Sequence, residues 1–296
     1  MKLFGKAATQ SLTVTIAGEA GTRVDAHGNA VVRPGEAIHA VVHIAGDPDD
    51  KTRQAMARLV CTHRWASESE DDDTNRVEVE WHDNEVVADE REIVPTGAAV
   101  AEADYPVTFT LPAYATPSSS DAIWWTVQGV VNRRMGKDVT GHALFVVPSG
   151  KAIHAGVADE QGIGQHDPAF EIEAPVRTVQ PGGTLTGTVI VKPTADVSYE
   201  KLVVDIQIVR LDRRDSRVTR KTSDHFSQVV LAEQLSIPSG AVEEFPFSVQ
   251  LPDDASPTTY GPHTVKNWWL VASGMTGMLH HNQVFQVELN VYNDPV

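Results

Sequence analysis

The chain carries twelve histidines and one cysteine, the residue types that most often bind metals or take part in catalysis. His39 and His43 are four residues apart, so in a strand they share a face but stand about 13 Å apart along it. The adjacent His280 and His281 would point to opposite faces of a strand. A zinc site needs three or four converging ligands, and neither pair supplies them. We therefore predict no metal site.

Nucleophilic catalysis has equally little support in the residue pattern. Cys61 follows Leu59 and Val60 in an apolar run, which indicates a buried structural thiol rather than an activated nucleophile. The chain has no Gly-x-Ser-x-Gly motif. Residues 162–164 read Gly-Ile-Gly and lack the third glycine of a dinucleotide-binding turn. We predict no catalytic residue, no cofactor-binding residue and no cofactor, so the protein is not expected to be an enzyme.

Two predicted hairpin tips are the better candidates for binding. Arg133, Arg134 and Lys137 form a basic tip in an otherwise acidic protein. The corresponding tip of the second half of the chain is uncharged and carries Met275 and Met278, whose flexible side chains suit an adaptable binding surface. We predict that these five residues contact partners, with a simple exposed turn as the alternative for the basic tip.

Tryptophan pairs and an acidic run complete the candidate residues. In a strand, one ring of residues 124–125 and one of residues 268–269 should face the core while the other faces outward. An outward ring could make an inter-domain contact, anchor a partner or stack on a sugar. The acidic residues in 68–73 indicate a solvated loop between strands, with a cation site or a docking surface for a basic partner as alternatives.

Length and composition limit the class of protein that presents these residues. A chain of 296 residues is about twice a typical domain, and its single cysteine permits no intrachain disulfide, which favours a reducing compartment. A net charge of −16 opposes binding to nucleic acid and to anionic membranes. The N-terminus has no apolar signal region and no segment is long enough to span a membrane. These features predict a cytoplasmic protein.

An internal repeat is the strongest signal in the sequence. Five segments of the first half recur in the same order in the second half, at offsets between 140 and 147 residues. The pairs are 34–44 with 181–191, 57–65 with 202–210, 93–98 with 236–241, 105–112 with 245–252, and 123–129 with 267–273. A duplicated domain explains this order most simply.

The repeated segments have the pattern of β-strands. Apolar and polar residues alternate over residues 107–111, which buries one face of a strand and exposes the other. Pro106 and Pro246 cannot donate to a strand ladder, so they belong at strand starts or sheet edges. Residues 49–57 could form a helical turn, which we interpret as part of a loop.

Many short strands separated by glycine and proline turns, with few helical stripes, predict an all-β protein. We expect a tandem of two immunoglobulin-like or arrestin-like β-sandwich domains. The N-terminal sandwich should cover residues 1–148 and the C-terminal sandwich residues 170–296. Residues 149–169, which contain several glycines, should link them.

The order of these segments resembles the arrestin-like proteins, and within them the bacterial sporulation-control (Spo0M-type) family. The matching segments are 31–44, 105–112 and 122–131 in the first half and 181–192, 245–252 and 266–273 in the second. The resemblance implies a cytoplasmic, non-enzymatic adaptor or regulator that binds other proteins, sometimes at the membrane. Neither the buried charged cluster nor the phosphate-sensing lysine pair of eukaryotic arrestins can be placed in the sequence, so phosphoreceptor binding is not carried over.

The resulting hypothesis is a non-catalytic adaptor or scaffold that binds protein partners through sheet edges and loop tips. The alternative is a carbohydrate-binding or structural β-sandwich protein. Nucleic acid is not an expected partner. Peripheral membrane contact is compatible with the sequence but is not indicated by it. The sequence identifies neither the protein partner nor the oligomeric state.

Overall fold

The computed structural model describes most of the chain. It covers residues 10–16, 23–25, 27–46, 52–71, 76–119, 121–134, 137–149, 170–174, 176–215, 217–276 and 283–293. This part contains strands and turns and no α-helix, and it has no helix capable of spanning a membrane. The prediction of an all-β protein built from two β-sandwich domains is confirmed.

The described chain divides into two compact units. Unit 1 comprises residues 10–64 and 82–148, and unit 2 comprises residues 65–81 and 149–293. The predicted linker, residues 149–169, lies outside the described residues except for Ser149. Ser149 belongs to unit 2, where its main-chain N–H donates to the side-chain oxygen of Asn293 over 2.8 Å.

Eight strands come from the first half of the chain. They are β1 (Ser11–Ile16), β2 (Ala30–Val31), β3 (Ala37–Ala45), β4 (Thr52–Asp71), β5 (Arg76–Val94), β6 (Ala103–Thr110), β7 (Ile123–Arg133) and β8 (Val139–Val146). One sheet has the order β1-β3-β6 and the other the order β2-β8-β7-β4-β5. All pairs with a described register are antiparallel except β2 with β8.

The core of unit 1 lies between these two sheets. Strand β3 shows the required alternation, since Ile38, Ala40, Val42 and Ile44 are buried while the residues between them are more exposed. They pack in one cluster with buried residues of β4, β6, β7 and β8, among them Phe145. Burial from both sheets identifies the two-layer sandwich.

The second half of the chain supplies nine strands. They are β9 (Phe170–Glu173), β10 (Thr178–Val179), β11 (Thr184–Val191), β12 (Val197–Arg214), β13 (Arg217–Ile237), β14 (Glu243–Gln250), β15 (Thr259–Tyr260), β16 (Thr264–Met275) and β17 (Gln283–Val291). The sheet orders are β14-β11-β9 and β10-β17-β16-β12-β13, and β15 also pairs with β16. The order of strands β11, β12, β14 and β16 repeats that of β3, β4, β6 and β7, as the internal repeat predicts.

The core of unit 2 is built in the same way. Leu185 and Val189 of β11 pack with Leu202 and Ile206 of β12, and Trp268 of β16 is the largest fully buried side chain. Strand β13 lies at the sheet edge and is interrupted by register shifts. Bulges of this kind increase local twist and make an edge strand a poor template for further pairing.

Two expectations about loops were wrong. Residues 52–57, part of the proposed loop between strands, lie in β4, and residues 68–71 of the proposed acidic loop form the end of the same strand. Strand β5 then returns over 19 residues. Acidic residues are disfavoured in strands in general, but an exposed strand next to a basic neighbour tolerates them.

Candidate functional site

The predicted basic tip lies at the turn between β7 and β8. Arg134 and Lys137 are exposed, and Arg133 is half-buried at the end of β7. The main-chain N–H of Arg133 donates to the Asp138 carboxylate over 2.9 Å. The Nε and Nη2 atoms of Arg133 are buried without a hydrogen-bond partner among the described residues. The tip therefore presents two exposed cations, and its role in partner binding stays a prediction.

The predicted methionine tip is described only in part. Met275 is the last residue of β16, is half-buried and lies opposite Lys201 of β12. Met278 lies outside the described residues. The adaptable apolar tip therefore also stays a prediction.

A second basic tip, at the end of β12 and the start of β13, was not proposed from the sequence. Arg214 lies directly opposite Arg217 in the register of the two strands, and both side chains are exposed. Like charges in this position repel each other. Arg213 and Lys221 add to the basic character of the same hairpin. The signal was available in the sequence, because residues 210–221 contain six basic residues and two acidic ones.

Unit 2 also contains a buried charged cluster that sequence reasoning did not place. Asp212 is completely buried and Lys266 is 2% exposed. The Asp212 carboxylate accepts hydrogen bonds from the Arg210 Nε at 3.0 Å and the Thr264 hydroxyl at 2.8 Å. Buried charges are stable only when they are paired and hydrogen-bonded. The hydrogen bonds from Arg210 and Thr264 therefore stabilise the buried charge of Asp212.

Residues 65–71 of β4 and 76–81 of β5 contribute to this region of unit 2. The Trp65 ring stacks on His263 with 5.9 Å between centroids. Arg210 and Arg220 lie over the Trp81 ring, with the guanidinium carbons 5.1 and 5.7 Å from its centroid. Cation–π contacts of this kind stabilise a partly desolvated site.

The acidic run has an intramolecular partner. The Arg220 Nε donates to the Glu68 carboxylate over 2.9 Å, and the Thr219 hydroxyl donates to the Ala66 carbonyl over 2.8 Å. Glu68 therefore pairs with a basic residue of its own chain. Asp72 and Asp73 lie outside the described residues.

The tryptophan pairs divide as the strand alternation predicts. Trp125 and Trp268 are buried in their respective cores, and their indole N–H groups donate to the carbonyls of Thr116 and Ser256 over 2.9 and 2.8 Å. The neighbouring Trp124 is half-buried, and the Arg64 guanidinium carbon lies 5.0 Å from its ring centroid. The inward rings are structural.

The single cysteine sits in the core of unit 1. Cys61 is 4% exposed, and burial raises the pKa of its thiol to about 12. Its Sγ lies 3.5 Å from the Nε2 of His63, which is also buried. A thiol with this pKa is almost entirely protonated at neutral pH and is a poor nucleophile. Among the described residues, no group of three histidine, cysteine or acidic side chains could hold a metal ion.

A cleft of about 580 Å³ lies between the edge strands β5 and β6 of unit 1. Arg91, Glu92 and Ile93 of β5 form one wall, and residues 105–108 of β6 form the other. Ile93 and Tyr105 pack against the core with part of each side chain exposed. The volume is within the range of protein ligand sites. Among the described strands, nothing pairs with the outer side of β5 or of β6 at this cleft.

Comparison with known families supports the resemblance for part of the second half of the chain. Residues 160–274 match the model of the family described as SpoOM protein, a stretch that spans β9 to β15 and nearly all of β16. No curated protein matches the chain. The family match confirms the resemblance to the bacterial sporulation-control family that was drawn from the repeated segments. Residues 160–274, about two fifths of the chain, are therefore similar to the Spo0M family.

Proposed function

We propose that the protein is a regulatory adaptor in sporulation control, which binds other proteins through its sheet edges and hairpin tips and catalyses no reaction. The family match supports a regulatory role connected with sporulation. The observation that carries the adaptor proposal is the long edge strand β5.

Strand β5 is 19 residues long and lies at the edge of its sheet. Nearly all of its described side chains are exposed or half-exposed, including Val86 and Val87 on opposite faces. The outer side of an edge strand offers a row of backbone N–H and C=O groups to another chain. Exposed acidic residues of β5, such as Glu78 and Glu85, disfavour unspecific pairing and favour a basic partner.

A carbohydrate-binding function has less support. Sugars stack on an open aromatic face, but Arg64 lies over the Trp124 ring, and Arg210 and Arg220 lie over the Trp81 ring. These rings already have cationic partners on a face that a sugar would need. Carbohydrate binding therefore remains the alternative proposal.

The adaptor proposal is tested by affinity purification from a lysate of the source organism with quantitative mass spectrometry. We expect the wild type to retain a discrete set of proteins and the variant Val86→Lys/Val87→Lys to lose it. Both residues are exposed, so the fold should be maintained.

Two further baits separate edge binding from tip binding. Arg134→Ser/Lys137→Ser tests the predicted tip between β7 and β8, and Arg214→Ser/Arg217→Ser makes the same charge change on the tip of the other unit. Loss with only one of these variants assigns the contact to that tip. Retention of no protein above background by the wild type would contradict the proposal.

A further inference from the structure

We propose that the cleft between β5 and β6 binds an extended segment of a partner protein, in which basic and apolar residues alternate and which adds a strand to the outer edge of β6. The inference rests on the proposed adaptor function and specifies its binding site and the chemistry of its ligand.

The register of β3 and β6 shows which backbone groups of β6 are free for a partner. The two strands pair without irregularity from Ala37 opposite Thr110 to Ile44 opposite Ala103. Just beyond the strand, the Leu111 N–H donates to the Glu36 carbonyl over 2.9 Å. Backbone N–H and C=O groups alternate in direction along a strand. Because the odd-numbered Leu111 bonds to the β3 side, the odd-numbered residues of β6 pair with β3 and the even-numbered residues direct their N–H and C=O groups away from it.

The outward groups define a short binding edge. Within the described residues no strand pairs with the outer side of β6. Thr108 and Thr110 each offer an N–H and a C=O there, whereas Pro106 offers only its carbonyl. The proline limits pairing to a few residues, which permits a bound peptide while preventing an extended ladder between copies of the chain.

The alternation of side chains determines where a bound peptide needs apolar residues. On β6, Val107 is buried and Tyr105 is half-buried, while Asp104 and Thr108 are exposed. An added strand continues this pattern, because side chains of neighbouring strands point to the same face at each level of the sheet. Every second residue of the peptide would therefore face the cleft, towards Tyr105, Val107 and Ile93. Apolar side chains suit this side.

Charge determines the other face of the peptide. The exposed Glu102 precedes β6. Asp104 of β6 remains 70% exposed although its Oδ1 lies 2.6 Å from the Nδ1 of His43. The one basic residue of the lining, Arg91, already pairs with Asp89 over 2.8 Å. The exposed carboxylates of Glu102 and Asp104 therefore favour basic side chains on the exposed face of the peptide.

The equivalent edge of unit 2 provides an internal comparison. Strand β14 corresponds to β6, with Pro246 and Ser248 at the positions of Pro106 and Thr108. The same alternation applies there, because the Leu251 N–H donates to the Gly183 carbonyl over 2.9 Å. In unit 2 the counterpart of β5 is β13, and it packs against β14, whereas a cleft separates β5 from β6 in unit 1. The two repeats therefore share the edge residues and differ in how closely the neighbouring strand packs on the edge.

The probe is a fluorescein-labelled heptapeptide, Lys-Val-Lys-Val-Lys-Val-Lys, titrated with the full chain and followed by fluorescence anisotropy. The control peptide, Glu-Val-Glu-Val-Glu-Val-Glu, has the same alternation with the opposite charge. We expect the basic peptide to bind with an affinity that falls as salt is added, and the acidic peptide to bind at least about tenfold more weakly.

Three variants test the geometry. Thr108→Pro removes an outward N–H that β3 does not use, and we expect about tenfold weaker binding, the scale of one or two lost hydrogen bonds. Ser248→Pro makes the matched change in unit 2 and should leave binding unchanged. Asp104→Lys should weaken binding of the basic peptide and strengthen binding of the acidic one. Circular dichroism and thermal melting verify the fold of each variant.

Each failure has a distinct meaning. Equal affinity of the wild type and Thr108→Pro, or of the two peptides, would overturn the proposed strand addition at β6. Equal weakening by Ser248→Pro would also overturn it, because the peptide would then not distinguish the two edges. The adaptor function is judged separately by the lysate experiment, since partners lost with the β5 or tip variants but retained by Thr108→Pro would support an adaptor that uses another surface.

Discussion

Burial controls the chemistry of Cys61. Its raised pKa, about 12, follows from desolvation of the thiolate. At pH 8 we expect the folded protein to react with an aromatic disulfide reagent about three orders of magnitude more slowly than the same protein in denaturant. Burial of the protonated thiol contributes fully to the free energy of unfolding at pH values below the thiol pKa of the unfolded chain. This contribution is lost as the pH rises towards 12, the pKa of the thiol in the folded protein. Rapid labelling of the folded protein would contradict the buried placement.

Single residues show where sequence reasoning succeeds. Burial of Cys61 and of one ring in each tryptophan pair could be predicted, because strand alternation and apolar neighbours determine both. The buried Asp212 and Lys266 could not be predicted in the same way. A charged residue in an alternating strand normally faces water, and only its tertiary partners make its burial favourable.

The packing of β1 on β7 and β8 depends on a pair of glycines. Gly129 and Gly141 lie opposite each other in the two strands, and both are close to Leu12 of β1. A Cβ atom on Gly129 would come within 2.6 Å of the Leu12 side chain, whereas one on Gly141 would come within 2.5 Å of the Leu12 main-chain oxygen. The glycines therefore leave the space that β1 occupies.

A side chain at Gly129 would meet the side chain of Leu12, whereas one at Gly141 would meet its backbone, and this difference can be tested with two variants. We expect both Gly129→Ala and Gly141→Ala to lower the free energy of unfolding by about 1–3 kcal/mol, the usual range for overpacking. Adding Leu12→Ala should recover part of the loss for Gly129→Ala, because there the clash is with a side chain. It should recover little for Gly141→Ala, where the clash is with the backbone. Urea denaturation measures all four proteins, and equal recovery in both backgrounds would contradict the packing.

At the level of strands, the repeat predicted which segments form the two sandwiches. The positions of the short strands could be predicted, because their alternation and turn residues are local signals, whereas the pairing order was not predicted. The extent of β4 and β5 could not, since the acidic residues of 68–71 are typical of loops. Their strand conformation depends on non-local contacts such as that of Glu68 with Arg220.

In the candidate sites, too, the features that depend on contacts between distant residues could not be predicted from the sequence. The basic tip after β7 could be found from residue types alone, but the inward position of the Arg133 guanidinium could not. The cleft beside β6 has no signature in the sequence, because it is formed by residues of two strands that are far apart in the sequence. Pro106 was the one local indication that β6 lies at an edge.

For the molecule as a whole, the division into units does not follow the order of the chain. Residues 65–81 come from the first half but belong to unit 2. They supply Trp65, which is 8% exposed and stacks on His263, and Glu68, which pairs with Arg220. A fragment that begins at residue 149 would lack these contacts and would expose the region around the buried Asp212.

We therefore predict that the fragment 149–296 is less stable than unit 2 in the full chain, by at least about 2 kcal/mol, because it leaves buried charges poorly covered and removes the packed Trp65 and the cation–π contacts of Trp81. The urea dependence of hydrogen–deuterium exchange at the main-chain amides of β12 and β16, which both proteins contain, gives the urea midpoint of unit 2 in each and measures the difference. A synthetic peptide of residues 63–83 added to the fragment should raise the midpoint, while the same peptide with Trp65→Ala and Glu68→Lys should not. If the fragment unfolded at the midpoint of unit 2 in the full chain, residues 65–81 would be dispensable for the second sandwich, and the buried charges would have to be stabilised by the second half alone.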